Sequence, residues 1–182
     1  SEVMSAYRPT YALSALTSDC FERGREQQDG GARHSIYGGA PLGIQNAADA
    51  LYAIKTAVFD EAFVSAEELV AALRADFDGH EALRAKLLAV PKFGQETAAA
   101  DAMMDRVLQS VCAVHSDYIN RHGWAIRPIV FTFVWAPEMG AALGASPDGR
   151  RAGVAIGHGL TPQSLAMDKG ITAAMQSHLS LD

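Results

Sequence analysis

The chain has 182 residues, 49% hydrophobic and 20% charged, a composition that fits one globular domain and is too apolar for a disordered tail. A formal net charge of -6 argues against a nucleic-acid or anionic-membrane surface, because phosphate binding needs a basic stripe. Cys20 and Cys112 make no disulfide framework, no apolar run approaches the roughly 20 residues of a membrane span, and the first residues lack a signal-peptide layout, so a cytoplasmic protein is expected.

Helical spacing of Leu13, Leu16, Cys20 and Phe21 predicts a first helix over residues 14–25. Residues 27–43 hold Gly30, Gly31, Gly38, Gly39, Gly43 and Pro41, a density that means loop. Ala47, Ala50, Leu51, Ile54 and Val58 form one apolar face of a helix over 46–59. Ser65 with Glu68 spells a capping box and opens another, stopped by Asp78-Gly79. A short helix over 80–89 ends at Pro91. The longest is expected over 97–121, with Met104, Val107, Leu108, Val111, Cys112, His115 and Ile119 inward and Gly123 as the stop. Residues 128–135 read as a strand apolar on both faces. Residues 140–159 are loop, with a turn at Ser146-Pro147-Asp148-Gly149. A last helix starts near Asp168 or Gly170 and runs toward Leu179. The expected class is α/β, a predominantly helical segment whose single strand lacks neighbours.

Residue types that carry chemistry are sparse. His80-Glu81-Ala82-Leu83-Arg84 begins like a zinc-protease helix, but Arg84 stands where the second histidine is required. Cys112 and His115 share a helix face without a partner pair, so a core role is favoured. Asp19 and Glu22 flank Cys20 and would raise its thiol pKa, which disfavours a nucleophile. Gly30 to Gly43 is no phosphate loop, because no Gly-Lys-Ser/Thr follows. Arg150-Arg151 sits among small residues; a loop-shaping role through carbonyls or a carboxylate and a functional role are evenly matched. Trp135, at the expected strand end before Pro137, is a candidate pocket wall, with a core tryptophan as the plainer reading.

Ordered segments of the chain resemble the glycyl radical enzymes, the family of pyruvate formate-lyase and its dehydratase, decarboxylase and lyase relatives. Tyr11-Ala12-Leu13-Ser14-Ala15-Leu16, Asp19-Cys20, Glu22-Arg23-Gly24 and Gly30-Gly31-Ala32-Arg33 are similar to its Glu-Arg-Gly and Gly-Gly-Ala-Arg/Lys stretch. Gly43-Ile44-Gln45-Asn46-Ala47-Ala48-Asp49-Ala50-Leu51 with Ala53-Ile54-Lys55 resembles its Gly-Ile-Ala-Asn-x-Ala-Asp-Ser-Leu-x-Ala-Ile-Lys helix. Pro91-Lys92-Phe93-Gly94 and Gly144-Ala145-Ser146-Pro147-Asp148-Gly149-Arg150-Arg151-Ala152-Gly153 match its Pro-Lys-Tyr/Phe-Gly turn and Pro-Asp-Gly-Arg loop. Thr161-Pro162, Asp168-Lys169-Gly170 and Thr172-Ala173 continue the correspondence. The first pieces look more like the eliminase branch than pyruvate formate-lyase proper.

The resemblance implies part of the ten-stranded glycyl radical enzyme barrel, with residues 1–182 as one partial barrel domain. The family needs a radical cysteine on a central loop, followed by x-Glu in most eliminases, and a radical glycine in an Arg-Val-x-Gly-Tyr/Phe context. Cys20 lies downstream of where that cysteine would sit, and the glycine context is not among the 182 residues. The implied role is a segment or truncated relative, not catalytically competent alone, of an enzyme performing radical elimination, decarboxylation or C–C/C–N cleavage on a small molecule. No bound cofactor is implied; a full-length parent would receive its glycyl radical from a radical S-adenosylmethionine activase under anaerobic conditions. Expected partners are the remainder of the barrel, that activase and further copies of the chain, with no nucleic acid or membrane. In the parent, Trp135, Phe133 and Pro137 would shape the substrate pocket, and Asp148, Arg150 and Arg151 the adjacent loop. Departures fall at His34-Ser35, where Tyr-Asn is usual, at Trp135, where Tyr or His is frequent, and at Val154 and His158, where Glu and Asp are common. The alternatives are a decayed, non-catalytic homologue serving as a structural or binding module and, with little support, an independent hydrolase or metal enzyme.

Overall fold

The computed structural model describes residues 2–35, 38–132 and 134–182. Two compact units emerge, Ser1–Gly39 with Ala113–Pro128, and Ala40–Cys112 with Ile129–Asp182. In chain order the helices are α1 (Glu2–Tyr7), α2 (Tyr11–Ala15), α3 (Cys20–Arg23), α4 (Ile44–Ile54), α5 (Ala66–Arg74), α6 (Glu81–Ala89), α7 (Ala98–Ser116), α8 (Trp135–Ala141) and α9 (Gly170–Leu179).

In the first unit the helix expected over 14–25 is broken in two. Asp19 adopts φ 73°, which a helix cannot accommodate, and Asp19 accepts two hydrogen bonds from the Arg33 guanidinium, 3.0 and 2.6 Å. Ser14 and Cys20 are buried, whereas Leu13, Leu16 and Phe21 face outward. The unit is organised by a carboxylate instead. Glu26 accepts from the Thr10 N–H and hydroxyl at 3.0 and 2.6 Å and from the Gln28 and Asp29 N–H groups at 2.7 and 3.2 Å. Burial works against that charge, but these donors outweigh it and hold the carboxyl below its usual range.

In the second unit, α4 buries Ile44, Ala48 and Ala53, whereas Ala47 and Leu51, expected on its inner face, are exposed. It then widens into a π-helical stretch, Lys55–Asp60, where the Glu61 N–H reaches back five residues to the Thr56 carbonyl at 2.9 Å. Ser65 caps α5 as its sequence spells, accepting from the Glu68 N–H at 3.1 Å. One apolar cluster joins Ala57, Val64, Leu69, Ala72, Phe77, Leu83 and Leu87; a second joins Ile44, Ala48, Phe93, Met104 and Leu108. The long helix α7 ends at Ser116, short of Arg121, and residues 117–125 form a turn closed by an isolated bridge from Ile119 to Ala125.

The strand expected over 128–135 does not form; no strand occurs among the described residues. A strand needs a ladder, and this segment has none. The Phe131 N–H turns back to the Ile129 carbonyl at 3.0 Å, and the Trp135 N–H to Thr132 at 2.9 Å, starting α8. Pro137 lies in the first turn of α8, where a missing N–H costs nothing. The buried Thr132 hydroxyl anchors the segment, donating to the Gly157 carbonyl at 3.1 Å and accepting from the Gly159 N–H at 2.7 Å. The segment is thus tied by a side chain, and the fold of the described residues is helical.

Within the second unit, the Pro-Lys-Phe-Gly turn packs against Pro162. Gly94 sits at φ +99°, and a Cβ there would lie 2.3 Å from Pro162 Cγ. Gly94→Ala should therefore cost about 1–3 kcal/mol through backbone strain and overpacking, read as a lower urea midpoint at unchanged slope. A midpoint equal to that of the parent chain would contradict the close approach.

Candidate functional site

A dense set of buried hydrogen bonds holds the loop from Gly144 to Gln163 where it meets α4. Arg150 is buried, and its guanidinium donates to the Ser146 hydroxyl at 3.1 Å, to the Arg151 and Val154 carbonyls at 3.2 and 2.9 Å, and to the Gly144 carbonyl. Five donors in a planar fork suit such a role, since one side chain can fix several carbonyls at once. Asp148 is also buried and accepts from the Ser146 hydroxyl at 2.5 Å. Arg151 leaves the loop and donates to the Asp76 carbonyl at 2.8 Å, and the Ala152 N–H donates to the Asp76 carboxylate at 2.7 Å. Arg84, the residue that spoils the zinc pattern, donates to the Gly149 carbonyl at 2.9 Å.

Beneath the loop runs a chain of buried polar groups. The Gly157 N–H donates to Asn46 Oδ1 at 2.8 Å, and Asn46 Nδ2 donates to Gln163 Oε1 at 3.0 Å. Gln163 Nε2 then donates to Asp49 Oδ2 at 2.5 Å and to Asp148 Oδ2 at 2.7 Å. The Phe93 N–H donates to Asp49 Oδ1 at 2.8 Å. A backbone N–H can only donate, so Gly157 sets the orientation of both amides and points both Gln163 hydrogens at carboxylates. Burial pushes the Asp49 carboxyl up to about 7 against the Phe93 and Gln163 donors, and the Asp148 charge adds to the rise. Lys92 is buried too; its ammonium donates to the Leu87, Leu88 and Val90 carbonyls at 3.2, 3.1 and 2.8 Å, closing the C-terminal end of α6.

The sequence candidates divide between two places. Asp148, Arg150 and Arg151 come together in this loop. Trp135 stands at the start of α8, 42% exposed, with its ring 6.1 Å from that of Phe131; Pro137, two residues on in the same turn, is exposed. Phe133 lies outside the described residues. A cavity of about 320 Å³ is bounded by Gly43, Asn46, Ser146, Arg150 and Ile156, and another of about 340 Å³, in the first unit, by Ser14, Cys20, Phe21 and Glu26. Neither includes Trp135 or Pro137.

Reactive groups are few. Cys20-Phe21-Glu22 reproduces a Cys-x-Glu spelling, yet Cys20 opens α3 at 3% exposure, and burial together with the Glu26 charge pushes its thiol up, away from thiolate character. Among the described residues no group of three His, Cys, Asp or Glu side chains could hold a metal, and no helix is long and apolar enough to cross a membrane.

The family model for pyruvate formate lyase-like proteins matches residues 1–136. The chain belongs to this family. Among curated proteins it is 33% identical over 175 residues to a probable dehydratase, YbiW, of Escherichia coli, covering 90% of the chain and 21% of that protein. It is 29% identical to the trans-4-hydroxy-L-proline dehydratase of Clostridioides difficile, covering 99% and 23%. Among solved structures, the glycerol-bound B12-independent glycerol dehydratase from Clostridium butyricum superposes with a TM-score of 0.90 at 31% identity, covering 100% of the chain and 23% of the other. A glycyl radical enzyme from Archaeoglobus fulgidus gives 0.89 at 31%, covering 99% and 23%. The chain thus spans between a fifth and a quarter of the length of these relatives and is similar throughout to one segment of glycyl radical dehydratases and lyases.

Within this pyruvate formate lyase-like segment, sequence reading singled out the Pro-Asp-Gly-Arg loop but missed the amide chain under it. Asn46, Asp49 and Lys92 stood inside recognised motifs without a role, and Gln163 drew no notice. The available signal was polar residues on the otherwise apolar inner face of α4.

Proposed function

We propose that the chain is a wall segment of a glycyl radical enzyme of the eliminase branch, contributing to its ten-stranded barrel as part of one domain and performing no radical chemistry by itself. The observation that carries this reading is the superposition over 100% of the chain, at a TM-score of 0.90 and 31% identity, on a glycerol dehydratase. In the complete enzyme the radical cysteine and glycine come from outside these residues, and a separate radical S-adenosylmethionine activase installs the glycyl radical. The substrate is a small molecule undergoing dehydration, decarboxylation or C–C/C–N cleavage in the cytoplasm. Trp135, Phe133 and Pro137 border its pocket, and Asp148, Arg150 and Arg151 hold the neighbouring loop.

A chimera tests this. The chain replaces the corresponding segment of the glycerol dehydratase, which keeps its own radical residues. The expected result is a folded chimera that accepts the glycyl radical by electron paramagnetic resonance and turns over a small diol. Trp135→Ala in that chimera should alter kcat/KM at least about tenfold, the scale of a lost pocket contact. Radical formation without turnover would favour a decayed homologue with a structural role. Unchanged kcat/KM and substrate range in the Trp135 variant would remove that residue from the pocket.

A further inference from the structure

We propose that Asp49, Gln163 and Asp148 form a pH-sensitive clasp that fastens residues 144–163 to α4 and loosens when Asp49 loses its proton. The geometry is specific. Two buried carboxylates from different segments converge on one amide nitrogen, at 2.5 and 2.7 Å, and that amide cannot turn over because Asn46 and the Gly157 N–H fix its orientation. An NH2 group has two hydrogens, and both are used.

The charged groups facing the clasp come from every segment around it. From the turn after α6, Lys92 lies close enough to favour the Asp49 charge, but its three N–H donors are committed to the Leu87, Leu88 and Val90 carbonyls. From the loop come Asp148 itself and Arg150, whose N–H faces Asp148 at 3.5 Å and whose guanidinium reaches Ser146, the donor to Asp148. From α4 and from 157–163 only the neutral amides of Asn46 and Gln163 take part. Asp49 therefore has no direct cationic hydrogen-bond partner. A proton on Asp49 removes its buried charge. Losing that proton leaves two like charges on one amide, and opening the clasp hydrates both.

The sign follows from linkage. Closed, Asp49 titrates at about 7; open to water, it returns to about 3.9. The closed form binds the extra proton between those values, so the stabilisation is complete below about pH 4 and is lost as pH rises through 7. Opening should become about tenfold more frequent between pH 6 and pH 8 and then level off.

Amide hydrogen exchange on the 182-residue chain, corrected for intrinsic base catalysis, reads this directly. Protection of the Phe93 and Gly157 N–H groups should fall about tenfold from pH 6 to pH 8, while Leu69 in α5 stays level. The Asp49 carboxyl carbon, followed by nuclear magnetic resonance, should titrate with the same midpoint, and Asp148→Asn should lower that midpoint. Asp49→Asn should flatten the exchange profile. Level protection at Phe93 and Gly157, an equal fall at Leu69, or an Asp49 midpoint below pH 5 would each overturn the clasp. The carboxyl titration decides the question in the parent chain even if Asp49→Asn does not fold.

Discussion

Gln163→Leu should destabilise the second unit by about 3–5 kcal/mol, a large share of the roughly 5–15 kcal/mol that holds a domain together. Leucine is close to glutamine in volume, so the packing loss is small and the polar loss dominates. Three groups each lose one partner at once: the Asp49 carboxylate, which keeps the Phe93 N–H, the Asp148 carboxylate, which keeps the Ser146 hydroxyl, and the Asn46 amide, which keeps the Gly157 N–H. All are buried, and none can recover the bond from water without opening the loop. Urea unfolding followed by far-ultraviolet circular dichroism checks the magnitude. A loss under about 1 kcal/mol, the size of an ordinary surface change, would mean that the amide chain is not continuous. Because each carboxylate loses a donor, the penalty should be smaller at pH 5, where a proton on Asp49 replaces one buried charge by a neutral acid.

Lys92→Met should be of similar size, about 3–5 kcal/mol. The lysine is 1% exposed, and each of its three N–H donors meets a carbonyl at the end of α6. Methionine fills the same tunnel but takes the ammonium donor away from the Leu88 and Val90 carbonyls and leaves Leu87 with only the Val90 N–H, and it removes the positive charge that complements the helix C-terminus. Burial already pulls the Lys92 pKa down, although the carboxylates of Asp49, Asp148 and Asp168 resist it. The comparison residue is Lys86, within α6 itself, whose ammonium lies 5.3 Å over the Phe63 ring at the surface. Lys86→Met should cost well under about 1 kcal/mol. Equal losses for the two lysines, measured by the same urea titration, would show that Lys92 acts only by filling space.

Much of the helical layout was legible because it rests on local signals. Ser65 caps α5 through a contact three residues away, and α9 begins at Gly170, inside the range the sequence indicated. The family was legible because five short motifs keep their order. The strand over 128–135 was misread for a physical reason: apolar β-branched and aromatic residues state a preference for extended backbone, but a strand exists only where another lies beside it. Ile129, Phe131 and Val134 are in fact outward-facing. The first helix failed for a different reason. Leu13, Leu16 and Phe21 had the spacing of an inner face, yet the unit is held by Glu26 and by the Asp19–Arg33 pair, 14 residues apart, which periodicity does not register.

The amide chain was illegible for the same cause on a longer scale. Asn46 and Asp49 meet Gln163 across 117 and 114 positions. Nothing in the local sequence of Gln163 distinguishes it from an exposed loop glutamine. The three residues proposed for the loop, Asp148, Arg150 and Arg151, were visible through their motif, but the motif does not say that a backbone N–H at Gly157 sets the polarity of everything beneath it.

The π-helical stretch after α4 has a consequence for how this chain tolerates length changes. It holds one residue more than an α-helix would need between Ile54 and the end of the turn, and each helical residue turns the chain by about 100°. Deleting a single residue there would let the helix run on regularly while swinging every later side chain around the axis. Thr56 and Ala57, now inward, would rotate toward water, and Phe59, now outward, would be carried toward the cluster of Val64 and Leu69. The stretch works as a phase shifter between two buried faces, so the spacing from Asp49 to Val64 is fixed by the molecule's interior even though Lys55 and Asp60 pair at its surface.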